Sequence, residues 1–153
     1  MADYVREAGI MCFDYESANN SPDKKHSALD WFRDSTYRTI LSVSFQPSVS
    51  YVIPIDHFEA TWTDEEYEEI EDIIQDLYED YNIRKIGHNI KFDMHLGAKK
   101  RDINYRGRLD DTMLMHHLID ETTQHGLKEL AGNYFKDYAG YEDEVRKHKW
   151  EEV

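Results

Sequence analysis

The apolar pattern changes period at Thr63, from short strand-like runs to helical spacing, and that change calls for a sheet with helices packed on it. Before it, apolar residues come as short runs. Ile10-Met11-Cys12-Phe13 is continuous, which predicts a strand buried on both faces, and it stops at Asp14. Thr39 to Phe45 and Ser50 to Pro54 read as two further strands, joined as a hairpin by a turn around Pro47. Pro54 ends the third strand or confines it to an edge. At Thr63 a helix opens, with Glu66 three residues on completing a capping-box pattern. Tyr67, Ile70, Ile73, Ile74, Leu77 and Tyr81 recur at helical spacing and predict one apolar face. Ten acidic residues between Asp64 and Asp80 are assigned to the opposite, solvated face.

After this helix the chain alternates. Ile83 to His88 reads as a short strand ending at Gly87, followed by a helix from Lys91 to about Ala98. Asp110 or Asp111 is placed as the cap of a helix through Met113, Leu114, His117 and Leu118, and Gly126 precedes a last helix carrying Leu127, Leu130 and Tyr134. Residues 3 to 8 read as a short opening helix stopped near Gly9. A hairpin, a crossover helix and a further strand imply an α/β fold: a mixed sheet with helices on its faces.

At 153 residues the chain suits a single domain, 1–153, and 40% hydrophobic content is too high for a disordered one. The lone Cys12 excludes an intrachain disulfide and fits a reducing compartment. No apolar stretch is long enough to span a membrane, and Met1-Ala2-Asp3-Tyr4 lacks signal-peptide form. A net charge of −14 opposes simple electrostatic attraction to nucleic acid, although eight Lys or Arg between Arg84 and Arg108 predict a basic side.

Two short segments carry candidate chemistry. In Phe13-Asp14-Tyr15-Glu16-Ser17, Asp14 and Glu16 stand two apart at a strand end and point the same way. Such a pair repels unless a cation lies between, and Mg²⁺ or Mn²⁺ prefers oxygen ligands of this kind. In His88-Asn89-Ile90-Lys91-Phe92-Asp93, Asn89 and Asp93 are four apart at a helix start and share a face. His88 is read as structural. His116 and His117 are adjacent and face different ways, and His95 and His125 fit no zinc spacing, so a histidine metal site is set aside.

Taken with Asp110-Asp111-Thr112-Met113-Leu114 and the following run through His125-Gly126-Leu127, these segments resemble the proofreading 3′–5′ exonuclease domain of family A DNA polymerases. That family belongs to the DEDD exonucleases, with a ribonuclease H-like fold, and the resemblance runs from about residue 4 to about residue 135. It implies a catalytic and metal-binding set of Asp14, Glu16 and Asp93 holding two Mg²⁺ or Mn²⁺ ions. Asp14 would bridge the ions, Glu16 would bind one and help position the attacking water, and Asp93 would hold the other, directly or through water. It implies substrate contacts at Tyr15, Ser17 and Asn89, with Ser17 where the family usually has Thr and Tyr15 where it has a small residue. The partners implied are a single-stranded DNA 3′ end and a polymerase domain or completing chain, in the cytoplasm of a bacterial or phage-infected cell. The third family motif, Tyr-x-x-x-Asp or a His-containing variant, is not matched. Tyr138 with Glu142 has the spacing and the wrong acid, and Tyr134 with Asp137 misses the spacing. The expectation is a fold incomplete at its C-terminal part, with the tail 137–153 unassigned: a fragment or a natural short form. Two other readings are carried: an RNA 3′–5′ exonuclease of the same fold, and an inactive exonuclease-like domain that binds protein or nucleic acid, using the acidic helix for protein contacts.

Overall fold

The computed structural model describes residues 1–20, 30–138 and 140. The chain forms two compact units, Met1–Thr112 and a second that begins at Met113. In the first, helix α1 (Ala2–Ala8) leads through Gly9 into strand β1 (Ile10–Asn19). Gly9 has φ 65°, a left-handed turn that glycine adopts without strain, and its N–H closes on Val5 O. Strands β2 (Thr36–Gln46) and β3 (Val49–Pro54) form the predicted hairpin, and α2 (Asp64–Glu79) crosses over to β4 (Arg84–Gly87). Helix α3 (Ile90–Gly97) and β5 (Leu109–Asp111) complete the sheet, whose order is β3-β2-β1-β4-β5. The pairs β1/β2 and β2/β3 are antiparallel, whereas β1/β4 and β4/β5 are parallel. Pro54 ends β3 at the sheet edge, where a missing N–H costs no ladder bond.

The capping box at α2 is present in both directions: Glu66 N–H donates to Thr63 Oγ1 at 3.2 Å, and Thr63 N–H to Glu66 Oε2 at 2.9 Å. Ile74, Leu77 and Tyr78 from α2 meet Met11, Phe13 and Tyr15 from β1 and Leu41 and Val43 from β2 in the core. Three expectations are corrected here. Strand β1 is not buried on both faces: Met11, Phe13 and Tyr15 are buried and Cys12, Asp14 and Glu16 exposed, the alternation of a strand covered on one side. Not every acid of α2 faces solvent, because Glu71 is buried against Arg38. Nor are all the cations from Arg84 to Arg108 free to face a ligand, since six of the eight bond to acids or carbonyls. Arg84 and Arg108 pair with Asp110, Lys100 with Asp56, and Arg101 with Glu68 and Asp72. Lys85 donates to the carbonyls of Asp80 and Arg106, and Lys99 to those of Arg33 and Thr36. These cations tie loops to one another, to α2 and to the sheet.

The second unit holds most of α4 (Thr112–Ile119), α5 (Leu127–Tyr134) and a 3₁₀ turn at Lys136–Tyr138. The histidines kept apart by their spacing meet here. His116 Nδ1 lies 2.8 Å from His125 Nδ1, and His117 Nδ1 lies 3.0 Å from His125 Nε2. Tyr138 lies within the described residues, whereas Glu142 and the rest of the tail do not. Among the described residues, no helix is long and apolar enough to cross a membrane.

Candidate active site

Asp14 and Glu16 leave β1 on the side opposite its buried residues. Directly after them the β1/β2 register shifts: Glu16 pairs with Ile40 and Ser17 with Arg38, so Thr39 is the extra residue on β2. A bulge at this place ends regular pairing beside the carboxylates. Asp93 comes from the first turn of α3 and is only 3% exposed. Its Oδ1 accepts a hydrogen bond of 2.8 Å from the backbone N–H of Tyr15, the residue between Asp14 and Glu16. The helix is thereby tied to the strand at the point where the two acids project.

The electrostatics follow from that crowding. Burial pushes the Asp93 carboxyl up to about 7; the Tyr15 N–H bond opposes this, and the negative charges of Asp14 and Glu16 add to it. Asp14 opens to solvent, yet the protein around it displaces enough water to raise its carboxyl above the usual range, with Glu16 adding repulsion. The charged groups that shift Asp93 are both acids.

The start of α3 is set from a distance. Asn89 has φ 58° and makes no side-chain cap bond. Instead the Asp111 carboxylate caps the helix, accepting from Asn89 N–H at 3.0 Å and Ile90 N–H at 3.1 Å. Asp111 thus serves α3 as well, a role that its place ahead of the next helix does not announce. The parallel register of β4 and β5, which sets Gly87 opposite Asp111, brings the carboxylate there. Asp110 caps nothing in this way and is held by Arg84 and Arg108, which keep its carboxyl low against the effect of burial. His88 has the structural role expected of it, with Nδ1 2.9 Å from Thr112 Oγ1, which in turn donates to Gly87 O at 3.1 Å.

The three residues expected to touch substrate lie in different surroundings. Asn89 is exposed at the start of α3, and Ser17 is partly exposed just past the bulge. The Tyr15 side chain is 4% exposed on the core face, with Tyr78 Oη donating to its hydroxyl at 3.2 Å. Its side chain therefore does not reach the face that bears Asp14 and Glu16, and only its backbone borders that face. The sequence reading missed Asp111, Tyr78 and Tyr105 as supports of the site. Tyr78 and Tyr105 belong to no local motif, and all three act across the fold.

Asp14, Glu16 and Asp93 are oxygen donors of the kind hard divalent cations take. Burial first, and the acids' mutual repulsion after it, raise the Asp14 and Asp93 carboxyls, and a cation would offset both effects. Among the described residues, no three acidic, His or Cys side chains already stand together at metal-holding spacing, so closure would require the carboxylates to turn inward.

The chain matches a family model described as 3′-5′ exonuclease, of the DNA polymerase A type, over residues 23–151. The match includes Asp93 and begins after Asp14 and Glu16. The chain is 39% identical over 82 residues to the DNA polymerase of Escherichia phage T5, a stretch covering 50% of this chain and 10% of that protein. The chain thus spans only a small part of its curated relative. Among solved structures, Brucella melitensis NrnC bound to pGG superposes with a TM-score of 0.60 at 19% identity, covering 84% of this chain and 53% of that one. The same protein with bound Mg²⁺ gives 0.59 at 18% identity, covering 84% and 54%. The POL domain of Pol1 from M. smegmatis, in complex with DNA primer-template and dNTP, gives 0.62 at 21% identity, covering 88% and 21%. At these identities the likeness speaks to fold, and the α/β fold is the ribonuclease H-like one of exonucleases. On the family match, which takes in most of the chain, this protein belongs to the 3′–5′ exonucleases of the DNA polymerase family.

Proposed function

We propose that the chain removes nucleotides from DNA 3′ ends by metal-dependent hydrolysis, as the proofreading part of a polymerase, with Asp14, Glu16 and Asp93 as its metal-binding and catalytic carboxylates. The observation that carries this reading is the hydrogen bond from Tyr15 N–H to Asp93, made between two strand acids in a chain of the exonuclease family. Mg²⁺ or Mn²⁺, when bound, would neutralise the phosphate, acidify a bound water and stabilise the leaving 3′ oxygen. The protein's part is to hold three carboxylates on a strand and a helix start, with Glu16 placed to orient the water. Ser17 and Asn89 flank these acids and are the polar groups proposed to meet the terminal nucleotide. The Mg²⁺-bound state of NrnC supports the choice of cation, and the phage T5 DNA polymerase relative supports DNA over RNA.

The expected result with a 3′-labelled single strand and Mn²⁺ is loss of the label from its 3′ end. Asp14→Ala should slow this by about 100-fold or more, in line with the loss of one charge-stabilising group from an active site. Equal rates for the two proteins would sink the assignment. A second reading, a domain of this fold that binds without cutting, is favoured by the carboxylates not being drawn together at metal-holding spacing among the described residues. Binding of the strand with no cleavage at any divalent ion concentration would select it.

A further inference from the structure

We propose that Tyr15 and Gly97 act together as a spacer that sets the gap between β1 and α3, making Tyr15 a positioning residue for Asp93 against Asp14 and Glu16. The inference rests on the three-carboxylate reading above.

Tyr15 holds α3 at two points four residues apart, and residues so spaced lie on one helix face. Its backbone N–H donates to Asp93 at 2.8 Å. Its side chain lies against Gly97: a Cβ built there would stand 3.3 Å from Tyr15 Cε2 and 3.4 Å from its hydroxyl, and would overlap the Tyr105 hydroxyl. Gly97 is the last residue of α3, and its φ is not in the left-handed region that commonly selects glycine at a helix end. Close approach is the remaining reason for glycine at a helical position, where it costs about 1 kcal/mol relative to alanine. Tyr105 Oη donates to Met94 O at 3.0 Å, gripping the helix at the residue after Asp93. Tyr78, wholly buried, backs both: its hydroxyl bonds to that of Tyr15, and its ring centroid lies 4.8 Å from that of Tyr105. Burial pushes the Tyr15 hydroxyl up to about 12, so this contact stays neutral through the working pH range.

A contact at both Asp93 and Gly97 limits sliding and tilting of α3 together. A smaller residue at position 15 would keep only its backbone bond to Asp93 and lose the contact at Gly97. A larger one at position 97 would lever the helix away from the strand.

The test uses the full chain as wild type, Gly97→Ala, Gly97→Ala/Tyr105→Phe and Tyr15→Ala. Three quantities are read: exchange of the Tyr15 amide in the metal-free protein by NMR (position 15 is followed in each variant), Mn²⁺ affinity, and stability to urea. Gly97→Ala should expose the Tyr15 amide and weaken Mn²⁺ binding, each by about tenfold, the equivalent of about 1.4 kcal/mol. The double variant removes the oxygen that the new methyl would strike. It keeps the tight approach to Tyr15, so amide protection and Mn²⁺ affinity should recover only in part, and it loses the Met94 bond, so its urea stability should not recover in step; full recovery of both would assign the effect to Tyr105 alone and overturn the spacer. Tyr15→Ala should lose amide protection and Mn²⁺ affinity together. An unchanged amide in Gly97→Ala, or a double variant that simply follows stability, overturns the spacer. No Mn²⁺ uptake by the wild type counts against the carboxylate reading instead, and the amide result still decides the spacer.

Discussion

Glu71 and Asp93 are both almost wholly buried, at 2% and 3% exposure, and the protein surrounds them in opposite ways. Glu71 meets Arg38 through two hydrogen bonds, of 2.5 and 3.3 Å, and Arg38 also lies 3.6 Å from Asp56. Asp56 is joined in turn by Lys100 and Tyr67, each at 2.8 Å. Burial alone would raise the Asp56 carboxyl, but the bonds from Lys100 and Tyr67 and the Arg38 charge draw it below its usual range. Asp93 receives backbone N–H groups, from Tyr15 and from itself, and faces two further acids, and burial with their charges holds its carboxyl up near 7. A chain able to match its buried acids with cations has left this group unmatched. The contrast separates a buried acid matched by cations from one whose charged neighbours are themselves acids.

The same chemical change should then have opposite effects in the two places. Glu71→Gln removes the charge that Arg38 needs while keeping the shape. It should cost about 3 kcal/mol or more in urea unfolding, as expected for a buried charge left without its partner. Asp93→Asn should stabilise the metal-free protein at pH 8 by about 1 to 4 kcal/mol. The sign follows from proton binding. The folded carboxyl titrates near 7 and the unfolded one near 3.8, so the folded state holds the extra proton between these values. Stability from this group is full below the unfolded value, declines as pH rises through the window, and is gone above about 7. The wild type should therefore lose stability from about pH 4 to 7, and Asp93→Asn should flatten that slope. Destabilisation by both amide substitutions would remove the distinction between the regions.

How much of this was legible depends on the range of each interaction. The Thr63–Glu66 box, the Gly9 stop and the Asp14/Glu16 pair are local patterns, written within a few residues and readable there. Helix α3 was placed within a residue at each end, because a strand, a glycine and an apolar repeat lie next to one another. Strand β5 was missed, since Leu109-Asp110-Asp111 has no strand pattern of its own and is a strand only through β4. The Asp111 cap of α3 acts on residues 22 and 21 positions away, a reach that its place ahead of an amphipathic run does not disclose. Glu71 was hidden among other acids, because its partner Arg38 lies 33 positions earlier. Tyr15 was assigned to substrate through its neighbours in the motif. Strand alternation in fact sends its side chain to the core, and Tyr78 and Tyr105 were needed to see what it does there.

The most direct test of the account is Mn²⁺ titration by calorimetry at pH 7, wild type beside Asp93→Asn, in two buffers of different ionisation enthalpy. The account predicts uptake by the wild type with release of protons, since Asp93 is partly protonated there and must give its proton up to bind. It predicts weaker uptake with fewer protons released in Asp93→Asn. No uptake by the wild type at millimolar Mn²⁺, or equal uptake and proton release by both proteins, would contradict it.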